Sequence, residues 1–325
     1  METRPLATAP PAETLTAAPG VATAPGAAGP GVPVATTPRV AGLPRWTWWH
    51  TLSLVVITLA LALPGLLAQP WLATSGLPTT SWPVGLLAAP GGRLLVWVAT
   101  ALPLLGLLVL VGHGIVGRWP GALIDGRNRI SLARLQMATW TVLVLSAFFT
   151  TVLWRIAAAE PDALNVAIPY ELWLAMGLSI TSLVAAPLIL HTKTGKAPNG
   201  QELDQTLALR EVQGASSAQG GQEGAQGQLL VKARPQAADW SDLFQGEETG
   251  NAAQLDLGKV QMFFFTVVLA LTYAAALAAA FTTIAPALPT GLPPLQPSAV
   301  ALLGLSHAGY LVNKALPHSL TSATT

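Results

Sequence analysis

The hydrophobic pattern is one of long apolar runs separated by shorter polar turns. From Trp46 to Gly92 no Asp, Glu, Lys or Arg occurs. A helix needs about 20 apolar residues to cross a bilayer, so a first span is predicted at Trp48–Ala68. Pro64 falls in its outer half and would bend it. Gln69–Gly92, with Pro70, Pro78, Pro83 and Pro90, reads as an apolar loop at the far interface. Further spans are predicted at Leu94–Val116, Leu135–Ile156 and Leu172–Leu190. A polar segment of 65 residues, His191–Leu255, then interrupts the pattern before spans at Val260–Ile284 and Ser298–Leu316. The fold class this predicts is all-α: a polytopic membrane protein of about six transmembrane helices.

Charge adds an orientation, because cytoplasmic loops collect Lys and Arg. Arg39 and Arg45 precede the first span, and Arg118, Arg127, Arg129 and Arg134 lie between the second and third. Lys193, Lys196, Arg210, Lys232, Arg234 and Lys259 lie between the fourth and fifth, and Lys314 ends the sixth. The alternate loops hold only Arg93 and Arg155 at helix ends, beside Glu160, Asp162 and Glu171. Both termini and the long loop are therefore expected in the cytoplasm, with the bacterial inner (plasma) membrane as location. Tryptophans agree: Trp46, Trp48, Trp49 and Trp119 would sit at the inner interface, and Trp71, Trp82, Trp97, Trp154 and Trp173 near the outer one.

An internal duplication is legible. Shifted by 125, Leu132, Gln136, Met137, Thr141 and Val142 fall on Leu257, Gln261, Met262, Thr266 and Val267, Arg134 on Lys259 and Ser131 on Asp256. Shifted by 127, Gly177 and Ser179 fall on Gly304 and Ser306. Spans three–four and five–six thus read as a duplicated helix-pair repeat, parallel because both copies enter from the cytoplasm. Ser131 and Asp256 are expected N-caps, and Arg134 and Lys259 are expected to reach headgroup phosphates. Gly177 with Thr181, Gly304 with Ala308, and the stripe Ala270, Ala274, Ala278 are small-residue patterns that allow close helix approach.

The stretches DLGKVQMFFFT, at Asp256–Thr266, and LLGLSHAGYLVNKA, at Leu302–Ala315, with the WSDLFQGEETGN run at Trp240–Asn251, carry a resemblance. Over Ile124–Leu316 the chain resembles a family of uncharacterised bacterial integral membrane proteins. That resemblance implies membrane residence and brings no catalytic or binding residues with it.

Composition supports lipid as the solvent. Charged residues are 10%, against about 25% in ordinary globular chains. A net charge of +1 gives no reason to expect nucleic acid, and with no cysteine there are no disulfides, thiol nucleophiles or Cys-based metal sites. Abundant Ala, Gly and Pro, with more Arg than Lys, point to a GC-rich bacterial genome. Residues 1–45, dominated by Ala, Pro, Thr, Gly and Val, read as a disordered cytoplasmic tail and not as a signal peptide. The expected organisation is tail 1–45, two spans and a basic loop 46–130, first repeat 131–191, partly disordered cytoplasmic loop 192–255, second repeat 256–316 and C-terminal tail 317–325.

The chemistry available is sparse. His307 lies deep in a span, where ionisable groups are functional candidates, and it is roughly level with Thr266 when rise is counted at about 1.5 Å per residue. A Thr266–His307 contact is expected, within a polar cluster of Gln136, Thr141, Gln261, Thr266, His307 and Tyr310. His50, His113, His191 and His318 fall at cytoplasmic interfaces, where histidine is ordinary. Within the loop, Gln201–Glu211 suits a short helix and Gly214–Gln228 a flexible linker. Trp240, Leu243 and Phe244, spaced i, i+3, i+4, share one face of a short helix: either a lid docked on the bundle or a motif for a partner's groove. No HExxH, no carboxylate pair within a span and no P-loop occurs; no cofactor, metal or enzymatic activity is expected. The function expected is an anchor or scaffold presenting loop 192–255 to a cytoplasmic protein, with homo-oligomers conceivable; the alternative is a channel or transporter subunit.

Overall fold

Each predicted span is a helix in the computed structural model of the chain, with ends displaced by only a few residues. The structure describes residues 46–67, 89–213, 223–283 and 290–320. The tail predicted at 1–45, most of the apolar loop predicted at Gln69–Gly92, and part of the predicted linker lie outside them. Seven α-helices occur among the described residues: α1 Trp48–Leu67, α2 Pro90–Val116, α3 Leu132–Ala157, α4 Tyr170–Thr194, α5 Gly200–Val212, α6 Leu257–Thr282 and α7 Pro297–Ala315. Five of them, α1 to α4 and α6, are long and apolar enough to cross a membrane. The chain is thus predominantly helical and has the make-up of a membrane-embedded protein. The seventh helix, 19 residues with His307, Asn313 and Lys314, is not among the five.

Four helices form a ring in which α3 packs on α4 and α6, and α7 packs on the same two. α2 lies against α3 and α6, and α1 packs on α2. The ring is filled: Trp140, Leu172, Tyr273, Leu277 and Leu303 are buried in one apolar core, and the Trp140 and Tyr273 rings meet at 6.1 Å. The outward faces are apolar as well, with Leu59, Leu188, Leu271 and Leu305 each more than half exposed. Apolar on both sides is the pattern of helices solvated by lipid.

At one end, the far face, the connections of the two helix pairs touch: the N–H of Ala167 donates to the Thr290 carbonyl and that of Leu292 to the Ala167 carbonyl, both at 2.9 Å. Arg93 stacks on Trp154 at 3.9 Å and donates to the Thr283 carbonyl. At the opposite end, the loop face, a two-stranded hairpin pairs β1 Glu223–Gln226 with β2 Leu229–Lys232, turning at Gly227 with φ 60°. The predicted linker Gly214–Gln228 therefore ends early, because its last residues enter a sheet. The predicted helix at Gln201–Glu211 is α5.

Positions matched in the predicted duplication do unmatched work. Asp256 caps α6, accepting from the Lys259 N–H at 3.1 Å, but Ser131 makes no side-chain cap on α3. Gly177 and Gly304 are not points of close backbone approach: a Cβ at the first would meet nothing within 4 Å, and at the second only a Leu178 methyl at 3.7 Å. The tight crossing is between Gly112 of α2 and Gly121, where a Cβ on either would run into the other's backbone. Near it, His50 and His113 are joined at 3.0 Å, with Trp49 stacked on His50 and Trp119 beside His113. These two histidines, expected at a cytoplasmic interface, are thus bonded to each other across the α1–α2 contact.

Rigid backbone on both sides leaves an added methyl at this crossing nowhere to go, so Gly121→Ala is expected to cost about 1–3 kcal/mol. Gly126→Ala, where a Cβ meets nothing within 4 Å, should change little. Thermal unfolding of both variants in detergent checks the contrast.

Candidate functional site

The polar segment folds onto the loop face through a buried ion network. Its first part is the turn before α3. The Asp125 carboxylate accepts from the N–H groups of Arg127 at 2.9 Å and Arg129 at 3.0 Å, and Asn128 takes the left-handed conformation at φ 59° that Asn tolerates. Asn128 donates to the Lys232 carbonyl and the Lys232 N–H to the Arg127 carbonyl, so the hairpin lies along this turn.

The second part is the 3₁₀ turn Trp240–Leu243, closed by an Asp239/Asp242 capping box. Asp242 is fully buried. It accepts from Lys232 Nζ at 2.8 and 2.9 Å, from the Asp239 N–H at 3.0 Å, and pairs with Arg129 Nε at 3.3 Å. Burial alone would raise its pKa, but Arg129 and Lys232 outweigh burial and hold it below the usual carboxylate range.

The third part is the dipeptide Glu247–Glu248. Glu247 takes Arg127 Nη2 at 2.6 Å, Lys259 Nζ at 2.8 Å and Lys314 Nζ. Glu248 takes Lys193 Nζ at 2.5 Å and the His318 N–H at 3.0 Å. These cations come from the turn leading into α3, the first turn of α6, the last turn of α7 and the last turn of α4. Two adjacent carboxylates thereby hold the loop-face ends of all four ring helices. Burial would raise Glu247, but Arg127, Lys259 and Lys314 overcome it and hold the group well below its usual value. A separate pair, Arg210 Nε with Glu223 at 2.5 Å, ties α5 to the hairpin, and Arg210 also donates to the Ala252 carbonyl.

Several expected residues take other roles. Lys259, expected at headgroup phosphates, is buried and also donates to the carbonyls of Asp242 and Gln245. Leu243 is buried in a cluster with Met262 and Tyr310, and Phe244 packs edge-on against Phe263. Trp240 alone stays more than half exposed. The lid is docked on the bundle, so Leu243 and Phe244 are not available as a partner motif. The Thr266–His307 contact is replaced by two bonds across the helix pairs: Gln136 Nε2 donates to Thr266 Oγ1, and His307 Nδ1 is hydrogen-bonded with Ser182 Oγ at 2.6 Å. Thr141 and Gln261 face outward, and Tyr310 is buried with its ring 4.7 Å from Lys314 Nζ. Ser182 went unremarked in the sequence; a serine in mid-span, needing a partner in lipid, is the signal for it.

The arrangement is a rigid ionic cap on a filled helical ring. Among the described residues no cluster of His, Asp or Glu could hold a metal ion. No family model matches the chain, and neither a curated protein nor a solved structure matches it.

Glu247→Gln removes the charge that three buried cations share, and breaking such a cluster is expected to cost about 3–5 kcal/mol. The pH sign follows from the depressed carboxyls. Their contribution is present above the ordinary carboxylate range and is lost as pH falls below it. Unfolding temperature in detergent should therefore hold steady at mildly acidic pH and drop further down. In Glu247→Gln the acid-side drop should shrink.

Proposed function

We propose that this protein is an integral membrane anchor of the bacterial inner membrane that presents a cytoplasmic loop, residues 192–255, whose described part forms a folded platform, to a partner protein. In this reading α7 is a sixth span beside the five apolar helices, both termini are cytoplasmic, and the helix pairs α3–α4 and α6–α7 descend from one duplicated unit. The resemblance to bacterial integral membrane proteins carried by DLGKVQMFFFT and LLGLSHAGYLVNKA belongs to the same reading.

The observation that carries the proposal is the hold of Glu247 and Glu248 on all four ring helices. A loop with no role beyond linking spans has no need of so many buried charges, each costly to desolvate. A platform that must keep one shape does. Its outward surface includes Leu209 and Val212 of α5, both more than half exposed, and no other described element covers them. The filled ring speaks against conduction. The channel reading keeps one specific support: Gln136 Oε1, Trp140 Nε1, Ser306 Oγ and His307 Nε2 are buried without hydrogen-bond partners, and a file of waters would satisfy them.

Two measurements check this. Because the chain has no cysteine, single cysteines at Ser217 and Ser322 report orientation: they should react with a membrane-impermeant maleimide only after cells are permeabilised. A photoreactive residue at Val212 should crosslink to a second protein in native membranes, while one at lipid-facing Leu271 should not. Protein-free crosslinking at Val212, together with ion flux in liposomes that His307→Ala abolishes, would replace the anchor with the channel.

A further inference from the structure

At the loop face, a cavity of about 490 Å³ is lined by α3, α4 and the turn before α3, with Lys259, Tyr310 and Lys314 reaching it from α6 and α7. Its upper wall carries five cations, Arg127, Arg129, Arg134, Lys259 and Lys314, against two carboxylates, Asp125 and Glu247. Asp242 stands behind Arg129 but is shared with Lys232, so the local balance remains well on the positive side. Arg129 is 2% exposed; its Nε is ion-paired with Asp242 at 3.3 Å, while Nη1 and Nη2 have no hydrogen-bond partner, and Arg127 Nη1 is likewise buried and unbonded. Burial pulls Arg129 down despite Asp242, as expected of a cation short of acceptors. Buried guanidinium donors without acceptors are costly, and the planar fork suits a phosphoryl or carboxylate group.

The lower wall differs in kind. Met137 of α3 and Leu183, Ala186 and Pro187 of α4 make it apolar. Leu183 precedes the end of α4 at Thr194 by a stretch that measures roughly 16 Å along the helix, about half the hydrocarbon thickness of a bilayer. A charged roof over an apolar wall one leaflet deep matches an amphiphile with an anionic head.

We propose that this cavity binds the phosphoryl headgroup of an anionic lipid, with Arg129, Arg127 and Arg134 on the phosphate and an acyl chain along Met137 and Leu183. A phosphate monoester carries a charge of about −1.5 to −2 and offsets most of the uncompensated cations. The lipid then completes the network that Glu247 only partly neutralises. This rests on the loop face lying at a headgroup layer, and is independent of whether the platform meets a protein partner.

The test is native mass spectrometry of the full chain in detergent, titrated separately with phosphatidic acid, phosphatidylcholine and inorganic phosphate. Phosphatidic acid should bind at least about tenfold tighter than phosphatidylcholine, the scale of losing charge-assisted hydrogen bonds. Arg129→Gln should lower that affinity about tenfold and leave phosphatidylcholine unchanged. If Arg129→Gln fails to fold, Leu183→Trp, which obstructs the apolar wall and keeps every charge, should give the same loss. Equal affinity for the two lipids, or variants that bind phosphatidic acid as the parent does, would overturn the proposal. So would inorganic phosphate binding as tightly as the lipid, since the site would then serve a soluble phosphorylated compound. Failure here would not touch the Val212 crosslink, and loss of that crosslink would not touch lipid binding.

Discussion

A buried carboxylate is tolerable only when cations answer it, and in this protein the Glu247–Glu248 pair is answered from four directions. Arg127, Lys259, Lys314 and Lys193 each leave a different ring helix or its leading turn and converge on two adjacent residues of the loop. None of these lysines could sit buried alone, because each would be a stranded charge costing several kcal/mol. The dependence runs both ways. The loop keeps its shape because the helix ends hold it, and the helix ends keep their spacing because the loop charges lie between them.

Below this cap the constraint changes from charge to hydrogen bonding. Lipid offers no partners, so polar groups inside the ring pair across helices. Gln136 with Thr266 links α3 to α6, and Ser182 with His307 links α4 to α7. Both bonds join one helix pair to the other rather than closing within a pair. Together with the Ala167 contacts at the far face and the ions at the loop face, they join the two pairs at both ends and within the ring. Apolar packing of Trp140, Tyr273 and Leu303 fills the space between.

The helices were legible in the sequence because lipid imposes a long, uncharged apolar run on each of five, and α7 keeps enough of that pattern to be read. Their ends were legible because Pro, Gly and basic residues mark them. The cap was not. Lys259 and Arg134 look alike in the sequence, basic residues one turn into a helix, yet only Lys259 turns inward to Glu247; nothing local distinguishes them. The hairpin was missed because Glu223–Gln228 shares the Gly, Gln and Ala composition of the linker before it, and the strand signal in Leu229–Lys232 is only a few residues long. The Thr266–His307 expectation failed for a geometric reason: depth along a helix can be counted from sequence, but the facing direction of two helices cannot. The predicted repeat implies equivalent environments, whereas burial is unequal, with Gln136 and Thr266 inside and their counterparts Gln261 and Thr141 outside.

The central claim is that the loop is a fixed part of the bundle rather than a tether between spans. Hydrogen–deuterium exchange of the full chain in nanodiscs addresses it directly. The amides of Leu230, Lys232, Gly246, Thr249 and Asp256, all bonded to carbonyls across the cap, should exchange as slowly as those at the loop-face ends of α4 and α6. Exchange of these amides at the rate of an unstructured chain, with the helices still protected, would contradict it.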